Sequence, residues 1–157
     1  MLVDFLTSKY HHVLERAWSA FEIGAIDRAE AQFSKIVHHH SDPKMMLFDL
    51  ADAHAGLGAV AVQHKDFFEA TRWYREAHHV LDRAYEHGWP RKLSWRHPPD
   101  RPALRILVGL GHLSYRKGNT AAAQKYYEEI LSHDSKDELG VKRYLLGIED
   151  KKKFEDV

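Results

Sequence analysis

Histidine is the residue type in this chain with the greatest capacity for chemistry. The sequence has 157 residues, with 13 histidines and no cysteine. Three histidines are consecutive, at His38–His40, and Asp42 follows closely. A structural zinc ion typically needs four ligands fixed around it, whereas consecutive residues of a helix point about 100° apart. At most two of these histidines could share one ion, so we predict no metal site here.

The other groupings of reactive side chains also lack what catalysis requires. The adjacent pairs His11–His12 and His78–His79 meet the same geometric objection. Glu129 and His133 lie four positions apart, which places them on one helical face, but the sequence offers no nucleophile or positioned base beside them. No His-Glu-x-x-His pattern is present. We therefore predict no catalytic residue, no cofactor and no enzymatic activity.

The composition narrows the classes of partner. Lys and Arg together number 23, and Asp and Glu together also number 23. Proteins that bind nucleic acids or membrane surfaces usually carry a basic excess, so we expect neither partner. The sequence has no apolar run of about 18 residues that could cross a membrane. Because it also lacks cysteine and a signal-peptide pattern at its N-terminus, we expect a cytoplasmic protein.

Apolar residues recur at helical spacing along the chain, and no alternation persists long enough for a strand. The pattern therefore predicts an all-α protein of seven helices. Capping boxes (a small polar residue followed three positions later by Glu) help to locate several starts. The predicted helices begin at Val3, Asp27, Pro43, Asp66, the residue after Pro102, Thr120 and Ser135. Predicted ends are Ile23 for the first, His38–His40 for the second, His64 for the third, Tyr85 for the fourth and Ile148 for the seventh.

A helical hairpin pattern recurs along these helices. In its clearest copy, Gly111 lies in the first helix, Gly118 lies in the turn, and the second helix carries alanine and tyrosine on its inner face. Gly58 and Lys65 take the corresponding positions in a second copy. An earlier, weaker copy has Ala17 as the small residue and Gly24 at the turn. The pattern resembles the tetratricopeptide repeat, a helix–turn–helix unit of about 34 residues.

The resemblance implies a particular architecture. One such hairpin cannot bury its apolar face alone, so repeats stack into a solenoid. We therefore expect a right-handed α-solenoid of about three hairpins, forming a single domain over residues 1–150. The helix from Ser135 to Ile148 would act as a C-terminal capping helix, and residues 151–157 would form a charged tail.

The same resemblance implies where a partner would bind. In this family the first helices of successive hairpins line a concave groove, which here predicts a protein- or peptide-binding adaptor. Within that groove, Arg105 would orient an acidic group of the ligand and Gln63 would bond its backbone. The expected groove residues are Trp18, Phe21, Gln63, Arg105, His112 and Tyr115.

One insertion interrupts the repeats, at residues 88–102. It contains Trp89, Trp95 and four prolines. Long loops are often functional, but tryptophan rarely stays exposed, so the two rings could either contact a partner or pin the loop to the helices. Both interpretations remain open. The alternative function is therefore a structural module that self-associates into a homo-oligomer, with its groove closed by this loop.

Overall fold

The computed structural model describes residues 8–157, and every regular element among them is helical. The all-α prediction is therefore confirmed. The α-helices are α1 (Lys9–Glu22), α2 (Ile26–His38), α3 (Leu47–Gln63), α4 (Phe67–Ala84), α5 (Arg101–Arg116), α6 (Thr120–His133) and α7 (Lys142–Glu149). Short 3₁₀ turns occupy Pro98–Asp100 and Phe154–Asp156.

The chain divides into two compact units. The first ends at Trp89 and contains α1–α4, and the second, Pro90–Val157, contains α5–α7. Within the first unit α2 packs against both α1 and α3, and α3 packs against α4. Within the second, α6 packs against α5 and α7. The division falls inside the insertion predicted at residues 88–102, while the single domain over residues 1–150 stays a prediction.

Three hairpins, α1–α2, α3–α4 and α5–α6, share one kind of turn. Gly24, Lys65 and Gly118 end the first helix of each pair with φ of 82°, 59° and 80°. The residue after each donates its N–H to a carbonyl five positions earlier, which satisfies a free carbonyl at the helix end. These three bonds, each 2.9 Å long, join Ala25 to Ala20, Asp66 to Ala61 and Asn119 to Ser114. Glycine suits the left-handed backbone of this turn, and Lys65 adopts it without that freedom.

The buried residues of the three hairpins follow the same register relative to the turn. The reference position is the residue that follows each turn, which is Ala25, Asp66 or Asn119. In each second helix, the residues four, eight and eleven positions after this reference residue are buried. The small residue of each first helix lies eight positions before that residue. The second-helix residues are Ala29, Phe33 and Ile36, then Ala70, Tyr74 and Ala77, then Ala123, Tyr127 and Ile130; the small residues are Ala17, Gly58 and Gly111.

The glycines in this register let aromatic rings rest directly on helical backbone. A Cβ atom added to Gly58 would lie 2.7 Å from the Tyr74 ring, and one added to Gly111 would lie 2.8 Å from the Tyr127 ring. Real Cβ atoms do not approach other atoms so closely, because interiors are already packed at crystal-like density. The two helices of each of these hairpins are therefore in close contact at the glycine.

Two helix starts lie several residues from their predicted positions. The predicted start at Pro43 is wrong, because α3 begins at Leu47 and Asp42 instead accepts the backbone N–H of Lys44 at 2.9 Å. The predicted start at Ser135 is also wrong, since α7 begins at Lys142. In both places an aspartate side chain bonds nearby backbone and holds a turn, an arrangement that competes with the helix. The predicted first-helix start at Val3 lies outside the described residues. Within the described residues, α1 begins at Lys9, and Ser8 is its N-cap.

Candidate functional site

The predicted groove residues His112 and Tyr115 lie on a face of α5 that is already covered. The covering residues are 150–157, here called the C-terminal segment. Tyr115 is only 4% exposed. Its hydroxyl donates a hydrogen bond of 2.8 Å to the backbone carbonyl of Lys152. The chain itself therefore occupies the position at which Tyr115 is predicted to meet a partner, and its role in binding stays a prediction.

Phe154 is the main contact between the C-terminal segment and the rest of the second unit. Its ring lies 5.1 Å from the His112 ring and 5.6 Å from the Tyr115 ring, in edge-to-face geometry. It stacks on Tyr144 at 5.2 Å with only 11° between the planes. The Arg116 guanidinium lies 3.8 Å from the ring centre. Aromatic pairs and guanidinium–ring contacts each contribute about 0.5–1.5 kcal/mol, so these contacts favour an aromatic side chain.

His112 is held in its neutral form in this cluster. Its pKa is lowered to about 4, mainly by burial, and the nearby charges of Arg116 and Arg143 contribute to this lowering. Its Nδ1 lies 2.8 Å from the hydroxyl of Tyr127, whose pKa is raised mainly by burial. Both groups are uncharged at neutral pH, and the imidazole tautomer decides which of the two donates the hydrogen bond. The hydrogen bond fixes the ring that Phe154 contacts.

Arg105 and Trp95 contact each other within the second unit. The Arg105 guanidinium lies 5.2 Å from the Trp95 ring centre, and that of Arg101 lies 5.4 Å from it. Arg101 also donates a hydrogen bond of 2.8 Å to the Trp95 carbonyl. Nearby, Leu93 is buried and its N–H donates to His133. This part of the insertion is thus pinned to the helices, and Arg105 faces a tryptophan instead of an open groove.

Trp89, at the other end of the insertion, packs on α4 of the first unit. Its indole N–H donates a hydrogen bond of 2.6 Å to Asp82. Its ring stacks on His78 at 5.1 Å and lies 5.4 Å from Tyr85. Both tryptophans of the insertion therefore make contacts within their own unit.

Trp18 and Phe21 form a second aromatic group, in the first unit. Their rings lie 5.7 Å apart, and Trp18 also contacts the buried Phe33 at 4.9 Å. The Trp18 indole N–H donates a hydrogen bond of 3.0 Å to Asp52, which is 5% exposed. Gln63, the remaining predicted residue, is exposed at the end of α3. Trp18 thus packs against the core of the first unit and is also partly exposed at its surface.

The sequence reasoning missed Asp49, one turn before Asp52 on α3. This carboxylate is fully buried, and Ser8 donates a hydrogen bond of 2.8 Å to its Oδ2. Among residues 8–157, no group forms a hydrogen bond with its Oδ1. The pKa of Asp49 is raised to about 6, mainly by burial; the Ser8 hydrogen bond lowers the pKa, and the charge of the neighbouring Asp52 raises it. Two acidic residues within an otherwise apolar helix were the available signal.

Metal ligands were predicted to be absent, and the histidine runs at 38–40, 11–12 and 78–79 form no candidate group within residues 8–157. One other set does lie close together there: Asp27, Glu30 and His64, whose ligand atoms are within 4.8 Å of one another. These groups could supply three ligands to a divalent cation. Asp27 and His64 are exposed, and exposed acidic groups commonly stand together without an ion.

A cleft of about 640 Å³ opens in the first unit beside α2, α3 and α4. His54 lies in its wall, 8% exposed, and its Nδ1 has no hydrogen-bond partner within the part of the chain that the structure describes. The ring of Trp73 lies 5.4 Å from it. Burial lowers the pKa of His54, which favours its neutral form. The volume is in the range of small-molecule sites, although Trp73 shields the imidazole.

These features define a class, an all-α protein of repeated helical hairpins with an aromatic site on its last hairpin. No protein-family model, curated protein or solved structure matches the chain. None of the helices formed by residues 8–157 is long and apolar enough to span a membrane.

Proposed function

We propose that this chain is a protein- or peptide-binding adaptor of the tetratricopeptide-repeat type, with its hairpins stacked in a right-handed α-solenoid. The shared turn and the shared register of buried residues in the three hairpins support a repeat of this kind. In this proposal the C-terminal helix α7 caps the stack, since it packs on α6. Repeat proteins of this architecture mostly bind partners, and the adaptor would act in the cytoplasm without catalysis.

One observation carries the proposal: the face of α5 already holds a peptide segment. The C-terminal segment contacts that face through an aromatic ring and through a backbone carbonyl that accepts the Tyr115 hydroxyl. Ring pockets and hydrogen bonds to a peptide carbonyl are the means by which proteins recognise peptides. Aromatic residues and arginine are also the commonest energetic centres of interfaces.

The alternative, self-association, is favoured by a different observation. Three large apolar side chains remain exposed among the described residues: Ile23 at 77%, Phe68 at 74% and Leu146 at 59%. Single exposed apolar residues are common on monomers, so they support this function only weakly.

Selection from a random peptide library on the immobilised full chain tests the proposal. We expect enriched peptides that bind the free protein with saturable 1:1 stoichiometry in calorimetry. Light scattering of the same sample gives the oligomeric state. An absence of saturable binding together with a concentration-dependent dimer would reject the adaptor in favour of self-association.

A further inference from the structure

We propose that the surface around Phe154 recognises a partner peptide that carries an aromatic residue followed three positions later by an aliphatic one. The C-terminal segment occupies this surface in the free chain, with Phe154 and Val157 in those two positions, and the partner peptide replaces it. This inference rests on the proposed peptide-binding function and names the ligand and its internal competitor.

The aromatic position is defined by side chains from two helices. His112, Tyr115 and Arg116 belong to α5, and Tyr144 belongs to α7. Together they surround the Phe154 ring with one stacked ring, two ring edges and a guanidinium. A flat ring satisfies all four contacts at once, whereas an aliphatic side chain would satisfy none of the ring-specific ones.

The aliphatic position is defined by a glycine. Gly147 is buried, and a Cβ atom placed on it would collide with the Val157 side chain and lie 2.9 Å from the Tyr115 hydroxyl. The absent side chain thus leaves space for a branched aliphatic residue. The same tyrosine hydroxyl binds the carbonyl of Lys152, which fixes the backbone two residues before the aromatic position.

The segment is attached in a way that permits replacement. The side chains of Lys151, Lys152 and Lys153 are exposed, as are those of Glu155 and Asp156, so exposed charges add little to its attachment. Only Phe154 and Val157 are half-buried. A tethered segment competes for the site at an effective concentration of about millimolar. A partner that makes several such contacts can bind tightly enough to displace the segment.

The turn that directs the segment back to α5 lies outside the site, so a substitution there can change how firmly the segment is attached. Lys151 has φ of 56°, and the next residue donates its N–H to the Gly147 carbonyl at 2.9 Å. A β-branched residue strongly disfavours this left-handed backbone, whereas glycine adopts it freely. Lys151→Val should therefore release the segment, and Lys151→Gly should hold it more firmly. Neither substitution alters a residue that touches the aromatic ring.

The experiment measures binding of a fluorescent peptide with the sequence of residues 150–157 to the full chain, by anisotropy. We expect Lys151→Val to bind it about fivefold more tightly than wild type, from the difference in left-handed preference, and Lys151→Gly to bind it more weakly. A peptide with alanine in place of Phe154 should lose at least about tenfold in affinity. Gly147→Ala, which also releases the segment, should bind poorly because the aliphatic position is filled.

Circular dichroism melting of each variant confirms that the fold is intact. Equal affinity of all three Lys151 proteins, or equal affinity for the alanine peptide, would overturn the inference. Library-selected peptides that bind wild type, Lys151→Val and Lys151→Gly alike would overturn it while leaving the adaptor function standing. Failure of the 150–157 peptide and of every library peptide would reject both.

Discussion

The burial of His112 predicts that protonation of this side chain weakens the fold in acid. In the unfolded chain its pKa is the ordinary 6.5, and in the folded chain it is about 4. Between these values the unfolded chain binds more protons, so stability contributed by the neutral imidazole is complete above pH 6.5 and is lost as the pH falls toward 4. At pH 5 the two pKa values give a loss of about 2 kcal/mol relative to pH 8.

The comparison of wild type with His112→Gln, each unfolded in urea at pH 8 and at pH 5, isolates this effect. The substitution removes the Tyr127 hydrogen bond and alters packing, but those changes are the same at both pH values and cancel in the double difference. We expect wild type to lose about 2 kcal/mol more than the variant on acidification. A double difference below about 0.5 kcal/mol, the usual error of such comparisons, would refute the buried neutral histidine.

Three further substitutions test other contacts by denaturant unfolding. Asp49→Asn should stabilise the protein by about 3 kcal/mol at pH 8, because it removes a buried charge whose pKa is raised to about 6; the gain should shrink as the pH falls through 6 toward 4, and a pH-independent gain would contradict the assignment. Gly111→Ala should destabilise by about 1–3 kcal/mol through overpacking against Tyr127, whereas in an open helix the same change would stabilise. Trp18→Phe should cost about 1–3 kcal/mol by leaving buried Asp52 without its indole donor, and an unchanged midpoint would count against that bond.

The helical hairpins were predictable because their signals are local. Gly24 and Gly118 mark turns through a backbone that glycine favours, and the spacing of apolar residues identifies the helices on either side. Lys65 adopts the same backbone without a sequence signal, and its turn was predicted only from the register it shares with the other copies.

The two wrong helix starts occur where a side chain can either cap a helix or hold a turn. Asp42 and Ser135 both fit the start of a helix, yet aspartate oxygens at 42, 134 and 137 hold turns instead. Sequence pattern does not rank these alternatives, because the energies of a cap and of a turn are similar.

The occupied site on α5 depends on contacts that are distant in the sequence. Phe154 follows three lysines and reads as part of a charged tail, whereas its neighbours Tyr115 and Tyr144 belong to two different helices. Asp49 is similar: its raised pKa depends on burial that helix spacing alone does not define.

The placement of the tryptophans gives the two units different optical properties. Trp18, Trp73 and Trp89 belong to the first unit, and Trp95 is the single tryptophan of the second. Its ring is flanked by the guanidinium groups of Arg101 and Arg105, so its emission responds to the loss of their contact. A variant in which Trp95 is the one remaining tryptophan would report the opening of the second unit by its fluorescence, and the first unit would contribute no tryptophan emission.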